Sequence, residues 1–162
     1  MPSPSIELSD LRKLSPSSPH DLAPDLTLLL AQAELALDHV LALPPGPLQH
    51  TPDEATLSDL PLVEVSLVDD PTIADLHARF FDDPSPTDVI TFQHGEIILS
   101  VDTAAREAID RQLPLDHEIL LYLIHGLLHL HGYHDQDSPN RGLMASLQGQ
   151  ILARIIWPGL LT

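Results

Sequence analysis

Four of the chain's ten histidines fall within ten residues, in the segment His125-Gly126-Leu127-Leu128-His129-Leu130-His131-Gly132-Tyr133-His134-Asp135. His125 and His129 stand four apart, so on a helix they project from one face, a turn apart, where two imidazoles can bind one metal ion. A lone histidine in so apolar a run reads as a hydrogen-bonded core residue. Here the flanking leucines would hold both rings rigidly in a desolvated setting that strengthens attraction to a cation. Gly132 can take the left-handed conformation that reverses a chain after a helix. A donor just beyond it, Asp135 or His134, can then return to the same ion. His131 lies two residues past His129 and points about 200° around the helix, which suits a supporting or exposed role. Asp137 is expected at the cap of the next helix.

The residue types absent from the segment narrow its chemistry. A zinc protease of the His-Glu-x-x-His kind needs a glutamate beside its first histidine as general base, and that place is Gly126. Hydrolysis remains open to such a site, because a bound metal lowers the pKa of its water and polarises a phosphoryl oxygen. Cysteine is absent, so thiolate zinc sites, disulfides and cysteine nucleophiles are excluded. The donors must be nitrogen and oxygen, as in many catalytic zinc sites.

The elements that would carry these residues follow from periodicity. A chain of 162 residues with 43% apolar content fits one domain, 1–162, with a proper core and residues 1–20 as a partly flexible lead. Ile6-Glu7-Leu8 reads as an edge strand. Residues 25 to 43 read as a core helix capped by Asp25, stopped by Pro44, Pro45 and Pro47, with loop to Pro61. Leu62–Val68 reads as a strand, and Asp70-Pro71 as the N-cap and first residue of a helix to about Phe80. Val89–Phe92 and Glu96–Val101 form a hairpin through His94-Gly95. Asp102 is expected to cap a helix to about Gln112, Pro114 to precede the histidine helix, and a last helix to run from Pro139 to Ile156. Strands precede helices without regular βαβ alternation, so the expected class is α+β. About four strands and about five helices are expected, with the metal site on a long helix of the C-terminal half and the following loop.

Net charge is −17, from 24 acidic and 7 basic residues, with Lys13 the only lysine. Such a surface repels phosphate backbones, whose binding rests on Lys and Arg. No apolar stretch is long enough to span a membrane and no signal peptide is evident, so a cytoplasmic location is expected.

The histidine segment resembles the signature of the YbeY family, His-Gly-x-Leu-His-Leu-x-Gly-Tyr-Asp-His, carried by zinc-containing endoribonucleases of bacterial rRNA maturation. Pro86-Thr87-Asp88-Val89-Ile90-Thr91-Phe92, followed by Gly95-Glu96-Ile97, is similar to the family's Pro-Thr-Asp-Val-Leu-Ser-Phe and Gly-Asp-Ile elements. The resemblance implies a small α+β sandwich, a small mixed sheet with helices packed against it, and a single-strand-specific, metal-dependent endoribonuclease. It implies action in small-subunit rRNA 3′ end maturation and ribosome quality control, with one Zn2+ per chain. RNA and ribosomal proteins are the implied partners, with no DNA and no membrane.

Three departures from the family pattern matter. The family closes its motif with Asp-His and this chain has His134-Asp135. The third metal ligand is therefore Asp135, which keeps the loop register, or His134, which keeps the imidazole but needs a shift of one residue. An arginine usual in the family, six residues before the Thr of Pro-Thr-Asp, is Phe81 here. Arg79 stands two residues earlier as its candidate replacement on the scissile phosphate. An expected asparagine is His77. The candidate catalytic residues are His125, His129 and Arg79, and Arg106 or Arg141 could add positive charge to the cleft. No residue presents itself as general base. The rival readings are a metallopeptidase-like hydrolase, opposed by Gly126, and a ribosome-assembly factor with a structural metal, which needs a fourth protein ligand.

Overall fold

The central feature is a helix so apolar on every side that it must be buried all round. The computed structural model of the chain describes residues 3–12, 24–46, 56–85 and 87–160. Its elements are β1 (Ser5–Asp10), α1 (Leu26–Leu41), β2 (Leu62–Val68), α2 (Asp70–Phe81), β3 (Val89–Phe92), β4 (Glu96–Ser100), α3 (Val101–Arg111), α4 (Leu115–Leu130) and α5 (Ser138–Ile156). The class is α+β, as expected. Half of the lead segment, 1–2 and 13–20, falls outside the described residues, as does most of the proline-rich stretch between Pro44 and Pro61, which ends in a short 3-10 turn at Leu57–Asp59.

The sheet order is β1-β2-β4-β3, with β1, β2 and β4 parallel and β3 antiparallel to β4. The first half of the chain thus holds βαβ crossovers that the sequence pattern did not reveal. Each parallel step needs a long connection; α1 supplies one between β1 and β2, and α2 with β3 spans from β2 to β4. Strand alternation sorts side chains between two faces. Ile97 and Leu99 of β4 enter the main core with α1 and α4, while Ile98 joins Val68, Ile73 and Ile90 beneath α2. β4, buried on both faces, reads as the continuous apolar run Ile97-Ile98-Leu99.

α1 buries Leu29, Ala33, Ala36, Leu37 and Val40, and Asp25 caps it by accepting from the Leu28 N–H (3.1 Å). α4 buries Ile119, Leu120, Leu123, Ile124, Leu127, Leu128 and Leu130 and packs on α1, α3, α5, β3 and β4. Gly126 explains how it lies so near the sheet: a Cβ there would stand 2.9 Å from the Ile97 side chain. No helix among the described residues is long and apolar enough to cross a membrane.

Two caps fall one or two residues from their expected places, for one reason. Asp69, not Asp70, caps α2 by accepting from the Thr72 N–H (2.9 Å). Ser100, not Asp102, caps α3, so Val101 starts that helix rather than ending β4. The two nearby aspartates serve a tertiary junction instead. Asp102 Oδ2 accepts from the Asp70 N–H (2.8 Å), and Asp70 accepts from Ser100 Oγ (2.6 Å) and Thr103 Oγ1 (2.8 Å). Asp70 also pairs with Arg106 at 2.8 Å. Burial raises the Asp70 pKa, but hydrogen bonds from Ser100, Arg106 and Thr103 outweigh it and hold the carboxyl below its ordinary range. A depressed carboxyl contributes stability above its unfolded pKa, and that stability is lost as pH falls through the folded one. Asp70→Asn should therefore cost about 2 kcal/mol near neutrality. The gap from the parent should close below the ordinary carboxylate range when urea unfolding is followed across pH.

Candidate metal centre

Helical periodicity places His125 and His129 on one face of α4, and their Nε2 atoms lie 3.0 Å apart. The His125 ring is oriented through its other side. His125 Nδ1 bonds Gln148 Oε1 of α5 at 2.9 Å, and an amide oxygen only accepts, so Nδ1 carries the proton. With its Nδ1 the donor, His125 turns its Nε2 lone pair toward His129 Nε2, 3.0 Å away. Burial, and next the charge of His125, push His129 below the usual imidazole range, with Asp135 partly opposing. His129 thus favours the neutral, metal-binding form.

The third donor comes from the loop after α4. Gly132 adopts φ +99, and the Gly132 and Tyr133 N–H groups return to the carbonyls of His129 (3.0 Å) and Leu128 (3.0 Å). This is a Schellman ending, which a residue with a Cβ would strain. The turn sets Asp135 with Oδ2 3.6 Å from His125 Nε2 and Oδ1 3.9 Å from His129 Nε2. Among the described residues, His125, His129 and Asp135 form a group that could hold a metal ion. Donors at ordinary Zn–N and Zn–O lengths with tetrahedral angles stand about 3.3 Å apart, so the three separations suit one ion.

His134 is outside this group; its Nδ1 accepts from the Gln136 N–H (3.3 Å). Asp137 caps α5 through the Asn140 N–H (2.9 Å). His131 points away from the pair, yet it is buried rather than exposed, and its Nε2–H donates to Leu43 O at 2.8 Å. Tyr133 Oη donates to Pro44 O (2.7 Å) and the Gly46 N–H to His131 O (2.9 Å). The donor loop is thus fastened to the chain just beyond α1.

A cavity of about 240 Å³ opens at the pair, lined by His77, Phe81, Thr87, Val89, Ile90, Thr91, Gln93, His125 and His129. Thr91 Oγ1 and Gln93 Oε1 are buried there with no hydrogen-bond partner among the described residues, which suits polar groups kept for a ligand. His77 Nδ1–H donates to Ser85 O (2.9 Å), leaving its Nε2 as an acceptor. Arg79 is not among the lining residues. Its guanidinium pairs with Asp75 (3.0 Å) on the outer face of α2 and both are mostly exposed. Arg106 is taken by Asp70, while Arg141 reaches Asp135 O at 3.5 Å. Gly126 faces Ile97, so even a glutamate there would point into the core and not at the metal site.

Residues 48–156 match the family model described as Endoribonuclease YbeY. The chain belongs to the YbeY family. Relatives named Endoribonuclease YbeY include one from Rhodococcus opacus, 37% identical with 57% of this chain and 63% of that protein covered. Another, from Wolbachia, is 33% identical over 59% of this chain and 69% of its own. The chain thus spans less than two thirds of the Rhodococcus relative. A solution structure of a Thermotoga maritima protein shares the fold, with TM-score 0.57 and 24% identity over 93% of this chain and 88% of that one. β1 and α1 lie ahead of the YbeY match, yet the segment after α1 holds the donor loop.

Sequence reasoning missed Gln148, Thr91 and Gln93. A glutamine mid-way along α5 carries no local signal, because its partner is 23 residues away. Thr91 and Gln93 read as strand and turn residues until the cavity is seen.

Proposed function

We propose that this chain is a single metal-dependent endoribonuclease domain. It would cut single-stranded RNA in the cytoplasm, in small-subunit rRNA 3′ end maturation and ribosome quality control, with rRNA and ribosomal proteins as partners. The observation that carries this reading is the convergence of His125, His129 and Asp135 at the mouth of a polar-lined cavity. Membership of a family whose relatives are named endoribonucleases supports the RNA substrate.

Zinc suits two imidazoles and a carboxylate, and such an ion activates water and polarises a phosphoryl oxygen. His125 and His129 present Nε2, and Asp135 completes the set. Three protein donors beside a cavity fit a catalytic site, which keeps an open position, better than a closed structural one. Thr91 Oγ1 can donate to a phosphate oxygen and Gln93 Oε1 can accept from a ribose hydroxyl. His77 Nε2 can take up the proton that the attacking water gives up. The acidic surface would meet basic ribosomal proteins, which offset its repulsion of RNA.

The test is cleavage of an rRNA fragment bearing a single-stranded tail, with chelator and after zinc is restored. Cutting confined to the tail, lost on chelation and recovered with zinc, is expected. Cutting that survives chelation would sink the metal mechanism. Gln148→Ala should weaken metal affinity by about 10–100-fold, the usual effect of removing a partner that orients a ligating histidine. Titration against a competing chelator measures it.

A further inference from the structure

All three phenylalanines of the chain, Phe80, Phe81 and Phe92, gather in one cluster at the surface and not in the core. Phe80 is 62% exposed and Phe81 53%. Phe92 is the half-buried hub, edge-on to Phe80 at 5.1 Å and stacked with Phe81 at 6.4 Å and His94 at 5.6 Å. His77 packs on Phe81 at 5.5 Å. Beneath them, Phe92 and Leu76 rest on Val68, Ile73, Ile90 and Ile98, so the rings stand on a rigid base. Phe81 and His77 also line the cavity that holds His125 and His129.

We propose that this cluster, with Phe81 at its cavity edge, is a stacking platform that seats an unpaired base of the RNA strand beside the metal site. The inference rests on the endoribonuclease reading. Three observations select a base as the occupant. The rings are continuous with the candidate reaction cavity. Phe81, Phe92 and His94 include near-parallel pairs, with interplanar angles of 29° and 16°, offering flat faces of the kind bases stack on. Charge supplies the third. Among the described residues no arginine or lysine lines the cavity, and Arg79 and Arg106 are engaged by Asp75 and Asp70. With net charge −17, phosphate neutralisation cannot be the main source of affinity. Base faces are uncharged, and every base has one.

The experiment uses the zinc-loaded full chain and a short single-stranded RNA carrying 2-aminopurine, whose fluorescence falls on stacking. Wild type should quench it, with a shallow dependence of affinity on salt. Phe81→Leu, which keeps apolar bulk without a ring, should weaken binding about tenfold, and Phe80→Leu/Phe81→Leu should abolish quenching. In cleavage assays KM should rise by a similar factor with kcat nearly unchanged. Phe81→Trp should restore both, while metal content and Tm stay constant. Unchanged quenching and KM in the double variant would overturn the platform and leave a metal-dependent nuclease intact. An equal loss of affinity for RNA abasic at the probe position would also overturn it. So would a double variant that turns a dimer into a monomer by sedimentation, since the rings would then serve self-association. Ring-dependent quenching by a wild type that cuts no RNA would support the platform and remove the nuclease reading.

Discussion

His129→Ala is expected to lower metal affinity by more than about 100-fold and to end RNA cleavage, with little change in stability. Loss of an orienting partner already costs about 10–100-fold in affinity, and a direct donor must exceed that. The variant keeps His125 and Asp135, but Asp135 is half exposed and lies on a loop, so two donors hold an ion poorly. Alanine is the best helix former, and the His129 ring is 24% exposed at the edge of the core, so α4 should survive. Elemental analysis after dialysis, thermal unfolding and the cleavage assay report the three effects separately. Full occupancy in His129→Ala would overturn the proposed donor set. The same measurement decides the loop ligand. Asp135→Ala should lose the metal and His134→Ala should keep it, because the turn at Gly132 brings Asp135 and not His134 to the pair.

Gly46→Ala should be the most damaging small substitution outside the donor set. A Cβ on Gly46 would lie 2.4 Å from the Gly132 carbonyl carbon and oxygen and 2.5 Å from the Tyr133 nitrogen. These are backbone atoms, locked by the Schellman ending of α4, and cannot swing aside as a long side chain would. Relief requires the two segments to part, which breaks the Gly46 N–H bond to His131 O and strains those of His131 and Tyr133 to Leu43 and Pro44. Overpacking of this kind costs about 3 kcal/mol. In a domain of this size that lowers Tm by about 6–12 °C. The same displacement reaches Asp135 three residues on, so metal affinity should fall together with Tm. A variant with unchanged Tm would mean that the segment after α1 does not hold the donor loop. The contrast with Gly126→Ala is informative. There the neighbour is the Ile97 side chain at 2.9 Å, part of which can rotate, and the smaller loss should leave Asp135 in place.

What could be read from the sequence was what neighbours within a few residues decide. The four-residue spacing of His125 and His129 places them on one face of any helix. The leucines around them bury that helix, and Gly132 reverses the chain after it. Asp25 and Asp137 were legible as caps because a cap needs only the N–H groups two or three residues ahead. The cap errors at Asp69 and Ser100 have the complementary cause. Asp70 and Asp102 look like caps by type, but each is claimed by the other's helix across the α2–α3 junction.

Tertiary structure alone decided the rest, because those contacts depend on how α4 lies against the sheet and on which loops meet it. Parallel pairing of β1, β2 and β4 carries α2 across the sheet face opposite the main core, and the cavity beyond β3 joins Phe81 to the histidine pair. Packing of α5 on α4 delivers Gln148 to His125, and the close approach of Gly46 to Gly132 holds the loop that presents Asp135. Arg79, suited by type but two residues off the motif register, pairs with Asp75 on the outer face of α2, while Phe81, two residues on, takes the position at the cavity. Periodicity along a helix fixes which side chains share a face; only packing between elements settles what that face meets.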